Sequence, residues 1–222
     1  MNLLIKYQDI KSNETVRTYI TKADESLIAL GFTEHSFAHV TKVAQTASYI
    51  LETLGFSERD CELAKIAGFL HDIGNLVNRT DHAQSGALIA FRLLDHMGME
   101  AQEIATIVTA IGNHDEGTAE AVNPIAAALI LADKTDVRRS RVRNKDKTTF
   151  DIHDRVNYSV KRSVVKINED RTLIKLKLTV DLHYGSIMDY FEIFMVRMLL
   201  CRKAAESLGM GFRLIINEQQ VV

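Results

Sequence analysis

The chain holds eight histidines, and three of them stand directly before an aspartate: His71-Asp72, His114-Asp115 and His153-Asp154. Imidazole and carboxylate together form the donor set of zinc, iron, manganese or nickel, and no cysteine cluster points to a softer ion. A His-Asp dipeptide is expected by chance, and a lone histidine is usually a surface or satisfied core residue. The chemistry therefore rests on which of these residues share a helical, apolar setting.

Three settings qualify. "HVTKVAQTASYI" puts His39 on the helix side shared with Val43 and Ala47. "AKIAGFLHDIGN" ends an apolar run at His71, with Gly74 read as the stop. Mid-helix, adjacent residues point about 100° apart, so His71 and Asp72 serve one centre only if the helix ends there. A short turn at 55–57 would make the two helices an antiparallel pair and bring His39 toward His71. "ALILADKTD" carries Asp133 at the end of an apolar face, where a buried carboxylate needs a partner. A metal ion is one such partner.

The elements that must position these groups are legible from periodicity. Helices are expected over 14–30, 34–54, a segment capped by Ser57 and ending near His71, then 84–97, 100–111 and 124–139. Asn123 and Pro124 supply the cap and first position of the last. The period changes near residue 150. "VNYSVKRSVVKIN" and "RTLIKLKLTVD" alternate apolar and polar residues as a β-hairpin does. A helix over 186–208 and a final strand, "FRLIINEQQVV", follow. The expected fold class is mainly α: a helical domain over 1–150, then a small α+β appendage (β-β-α-β) over 151–222.

The 46% hydrophobic and 25% charged content is that of an ordinary globular protein. A formal net charge of −2 gives no global field toward nucleic acid or membrane. The N-terminal apolar run is too short for a signal-peptide core, and no run approaches a membrane span. Cys61 and Cys201 do not make a disulfide framework. The chain reads as soluble and cytoplasmic.

His39, then His71-Asp72, then Asp133, in these contexts over roughly residues 33–140, resembles the ligand set of the HD superfamily of metal-dependent phosphohydrolases. His82 in "HAQSGALIA" and His114 in "AIGNHDEG" resemble further ligands of its dinuclear branch, which includes hydrolases of dinucleoside tetraphosphates and, more distantly, HD-GYP domains. The resemblance implies two divalent ions, iron or manganese ahead of nickel, zinc or magnesium. His39, His71, Asp72 and Asp133 would hold one, and Asp72 would bridge to a second held by His82 and His114. It implies hydrolysis of a phosphate ester or anhydride, of a nucleotide or related small molecule, by a hydroxide shared between the ions. The alternative is a regulatory nucleotide-binding domain without turnover. The chain departs from HD-GYP proteins in lacking the Gly-Tyr-Pro loop and in having Asn75 where their motif continues to lysine.

Asp72, His71, His35 and Lys134 form the expected catalytic set. His35, four residues before His39, is read as sharing its helix face, as an outer ligand or at the entrance. Lys134, Arg138, Arg79 and Asn75 are expected to contact substrate, arginine being suited to grip phosphate. The basic run 134–147 has no interleaved aromatic, which argues against nucleic acid as partner. Exposed strand edges of the appendage suggest a homodimer. His96, His183 and the pair His153-Asp154 are assigned no role at the site.

Overall fold

The computed structural model describes residues 4–221. Its helices are α1 (Tyr7–Ser12), α2 (Glu14–Ala29), α3 (Phe37–Leu54), α4 (Glu58–Leu70), α5 (His82–His96), α6 (Ala101–Gly112), α7 (Pro124–Lys134), α8 (Ile152–Ser159) and α9 (Ile187–Ser207). Its strands are β1 (Val160–Ile167), β2 (Leu173–Val180), β3 (Gly211–Ile216) and β4 (Gln219–Gln220). The protein is thus mainly α with a small C-terminal sheet.

α3 starts behind a Ser36 cap and stops at Gly55, whose φ of 86° is a conformation glycine adopts without cost. α4 restarts behind a Ser57–Asp60 capping box. The two form an antiparallel pair so close that a Cβ on Gly68 would lie 2.8 Å from the Ala44 backbone. α7 runs through the middle of the bundle: Ile125 to Ala132 are all buried, as a helix apolar on every side must be. α3, α4, α6 and α9 surround it.

The sheet order is β1-β2-β3-β4. β1 and β2 are an antiparallel hairpin, and α9 crosses over to set β3 parallel to β2. Ile174, Leu176, Leu178 and Leu214 turn inward and are buried.

Four boundaries differ from the periodic reading, each for a tertiary or capping reason. α3 begins at Phe37 because Glu34 and Ser36 are spent on its cap, the Glu34 carboxylate accepting from the Ser36 amide at 2.7 Å. α7 ends at Lys134, not 139: Arg141 Nη1 donates to the Asp136 carbonyl at 2.8 Å, a bond that replaces helical pairing. "VNYS" closes α8 instead of opening β1, since Asp151 caps that helix and Val156 is buried on it. The last segment is split by a two-residue turn, Asn217 and Glu218 both at positive φ, into β3 and β4.

Candidate metal centre

The ends of five helices meet at one end of the bundle. His39 lies in the first turn of α3, His71 caps the C-terminus of α4 and Asp72 follows it. His82 is the first residue of α5, His114 lies just beyond α6, and Asp133 sits in the last turn of α7. Because α4 stops at Leu70, Asp72 turns back toward His71, and its carboxylate Oδ2 lies 3.2 Å from His71 Nε2. The turn after it, Ile73–Leu76, is a 3-10 turn packed on the start of α5. Gly74 is required there by space rather than as a helix stop: a Cβ would fall 1.9 Å from the His82 carbonyl oxygen.

Each histidine of the cluster is oriented through Nδ1. His39 donates to Asp136 Oδ2 at 2.8 Å, His71 to the Gly68 carbonyl at 2.8 Å, His82 to the Arg79 carbonyl at 3.1 Å and His114 to the Ile111 carbonyl at 2.6 Å. In the neutral ring, a proton assigned to Nδ1 leaves Nε2 with a lone pair. The Nε2 atoms point at one another and at carboxylates. His39 Nε2 is 3.3 Å from His71 Nε2, 3.4 Å from Asp72 Oδ2 and 3.4 Å from Asp133 Oδ1. His82 Nε2 is 3.5 Å from Asp72 Oδ1. Asp72 Oδ2 is buried and has no hydrogen-bond partner. A buried cluster of acceptors with an orphaned carboxylate oxygen is a cation site by its chemistry.

The electrostatics agree. Burial alone would push the His71 ring down, but Asp72 and Asp133 outweigh it and raise it to about 10. Burial works against ionised Asp72, yet His71, His39 and His35 hold it well below the usual carboxylate range. Asp133 is held low in the same way against burial, with Lys134 the main cause. His114 is pushed down to about 3, first by burial and then by the charge at His71. Without an ion, protons on the His39 and His71 rings balance the two ionised carboxylates; a divalent ion would take their place and leave both Nε2 atoms bare. Three groups of donors lie close enough to hold an ion: His39, His71 and Asp72; Asp72, His82 and His114; and His71, His114 and Asp133. The first two share Asp72, and neither includes Asp133, which the expected partition gave to the first ion. The third crosses that partition.

Asp72, His82 and Asp133 form one side of a cavity of about 380 Å³. Arg79, Lys134 and Arg141 line it, with Phe32 and Phe194 beside them. Lys134 Nζ is bonded to Asp133 Oδ2 at 2.7 Å. His35 lines the cavity from the segment before α3, not from the helix face with His39, though the two rings are 5.4 Å apart. Its Nδ1 pairs with the Thr33 carbonyl at 2.6 Å, and burial and then Arg141 lower its pKa far below the ordinary value.

Three expectations about this wall are corrected by the packing. Arg138 does not line the cavity; its guanidinium is held by Asp136 at 3.0 Å and Glu34 at 3.2 Å. Arg141, read in the sequence only as a member of the basic run after Asp133, lines the cavity in its place. Asn75 is buried, and its amide donates to the Asp72 carbonyl at 2.9 Å and to Asp72 Oδ1 at 3.1 Å. It orients the shared carboxylate instead of facing the cavity. His153 and Asp154, set aside from the site, line the cavity together with Asp151 and Asn157. Their helix is α8, whose helical character the alternating pattern concealed.

Two supporting residues went unmarked as well. Asp136 aligns His39, and its only sequence signal is an acid three residues past Asp133. Arg197 of α9 reaches the cavity while paired with Glu116.

Residues 36–138 match the family model described as the HD domain. The match spans a little under half of the chain, over the helical region that holds the centre. The uncharacterized protein MJ1020 of Methanocaldococcus jannaschii is 24% identical over 75% of this chain and 73% of its own. Ribonuclease Y 1 of Pediococcus pentosaceus is 33% identical and ribonuclease Y of Latilactobacillus sakei 31%. Each of those two matches covers 48% of this chain and only 19% of the relative. A crystal structure titled as a predicted HD superfamily hydrolase, from an uncultured Thermotogales bacterium, is 27% identical, covering 55% of this chain and 68% of that one with a TM-score of 0.42. Among the described residues no helix is long and apolar enough to cross a membrane.

Proposed function

We propose that the protein is a metal-dependent phosphohydrolase acting on a small phosphorylated compound, a nucleotide or a molecule of that kind. The observation that carries the reading is the convergence of four Nδ1-anchored histidines and two carboxylates beside a cavity lined by cations. His39, His71, Asp72 and Asp133 are assigned to one divalent ion, and Asp72, His82 and His114 to a second. Mixed nitrogen and oxygen donors suit iron or manganese, and also nickel or zinc. Ions bound there would supply Lewis acidity, activating a water and neutralising charge on a phosphoryl oxygen.

The chain's own groups do the rest. Arg79, its Nη1 3.9 Å from Asp72 Oδ1, is assigned to grip phosphate oxygens, and Arg141, its Nε and Nη1 held by the Glu34 and Asp136 carbonyls, to add positive charge from the wall. Lys134 holds Asp133 and presents a charge to the same space. His35, neutral with Nδ1 engaged, offers Nε2 as a hydrogen-bond acceptor. A cavity of this volume suits one small ligand, with Phe32 and Phe194 as apolar surface for it. The likeness to two ribonucleases Y, over about a fifth of their length, adds phosphodiesters of RNA to the compounds worth screening.

The test is elemental analysis of protein purified without chelator, then hydrolysis of a panel of nucleotides, phosphomonoesters and phosphodiesters. Asp72→Ala should lose the metal and the activity together. Full metal content in that variant would overturn the ligand assignment. Tight nucleotide binding by metal-loaded protein with no turnover of any panel member would replace hydrolysis by the regulatory reading.

A further inference from the structure

The outward face of the sheet carries charge that the metal centre does not use. In the strand register Lys166 lies opposite Lys175, and Lys175 opposite Arg213, so three cations stand side by side across β1, β2 and β3. One pair along, Lys177 stands between Val164 and Ile215, and Arg162 faces Thr179. The alternate residues Leu176 and Leu214 are buried, so these five cations share the opposite face. Among the described residues none of the five forms a salt bridge. The nearby acid Asp181 is engaged by Arg139 and Lys161. A groove runs over the face, lined by Arg162, Lys166 and Lys177, with Glu218 as its acid. Five like charges gather here in a chain whose formal net charge is −2.

Like charges directly opposite in a sheet repel, so the row carries a standing destabilisation that an anion would relieve. Neighbouring cations are about 4.8 Å apart across strands and about 6.7 Å apart along one. That spacing fits a repeated anion better than a single phosphate.

Several occupants are disfavoured. A second copy of the same face would set cation against cation. Interfacial binding to a lipid surface adds inserted apolar side chains to charge, and none of the exposed large hydrophobic residues lies on this face. An acidic peptide added by strand pairing would use the β1 edge, not the face. We propose that this face binds the phosphate backbone of a single-stranded nucleic acid. It carries no aromatic side chain for stacking, so binding rests on charge and tolerates any sequence. The inference departs from the expectation drawn from residues 134–147, which lie elsewhere, and is independent of the hydrolase reading.

The test is fluorescence anisotropy of the full chain with a labelled oligodeoxythymidylate. With five phosphate contacts, the slope of log affinity against log salt is expected near −3.5, or about 100-fold weaker binding for a fourfold rise in salt. A variant with Lys175→Gln and Lys177→Gln should reduce the slope to about −2. The same variant should melt about 1–3 °C higher, because the repulsion is relieved. Lys166→Gln with Arg213→Gln gives an independent reading should the first pair fail to fold. Salt-independent binding, binding by both variants equal to the parent, or no binding in low salt would overturn the proposal. So would equal, variant-sensitive binding to vesicles rich in anionic lipid or to polyglutamate, which would assign the face to those partners.

Discussion

Replacing Asp136 by alanine tests how the centre is held from behind. The Asp136 carboxylate is 1% exposed and lies 2.8 Å from His39 Nδ1, with its other oxygen fixed by Arg138 at 3.0 Å. Hydrogen bonds to charged groups are each worth about 1.5–3 kcal/mol. Removing this one frees His39 to rotate and to carry its proton on Nε2, the atom that must be bare. At 1.4 kcal/mol per factor of ten, the loss corresponds to a manganese affinity about 10–100-fold weaker. Asparagine keeps an oxygen that can accept from Nδ1, so Asp136→Asn should lose less, about threefold to tenfold. The assay is calorimetric titration of chelator-stripped protein with manganese, with a melting curve of each variant to show that the fold is retained. An alanine variant that folds cooperatively and binds manganese within about threefold of the parent would refute the reasoning, because His39 would then need no aligning partner.

Two further outcomes follow from the same geometry. Gly74→Ala would place its Cβ 1.9 Å from the His82 carbonyl oxygen and 2.5 Å from the Gly86 nitrogen, both backbone atoms, so α5 must shift. The expected cost is at least about 3 kcal/mol, a fall of about 6–12 °C in melting temperature, whereas Gly117→Ala, with open space around it, should melt within about 1 °C of the parent. In chelator-treated protein, His114 must stay neutral down to about 3 while the unfolded chain takes up a proton near 6.5. A lowered folded pKa contributes stability that is present above 6.5 and lost as pH falls toward 3. His114→Gln should therefore flatten the decline of melting temperature across that window, and an unchanged decline would rule His114 out as its source.

The parts of this molecule written in short-range patterns were readable in advance. The helices around His39 and His71 follow from apolar spacing plus Gly55 and Ser57 at their ends, all interactions spanning three or four residues. The hairpin of β1 and β2 follows from strict alternation. Reading failed where two periods overlap. "VNYS" alternates like a strand, but Asp151 caps a helix through it, and the misreading hid the fact that His153 and Asp154 line the cavity. It failed again at the end of α7, where Arg141 draws the chain away from helical pairing.

His39, His71, Asp72 and Asp133 stand out in the sequence by residue type and helix context, while His82 and His114 are named only through the family resemblance. What each neighbouring charge does is not legible there. Arg138 and Arg141 look alike in the chain, yet Arg138 is neutralised by Glu34, 104 residues away, while Arg141 lies along the cavity wall. Asn75 looks like a substituted lysine, and proves to hold the Asp72 carboxylate. The physical reason is reach. Periodicity and capping are settled within one or two turns of backbone, whereas the centre is a meeting of helix ends drawn from residues 39 to 133. Only packing α3, α4, α5, α6 and α7 to close contact brings four imidazoles and two carboxylates within a few ångströms, and only that packing decides which cations line the cavity.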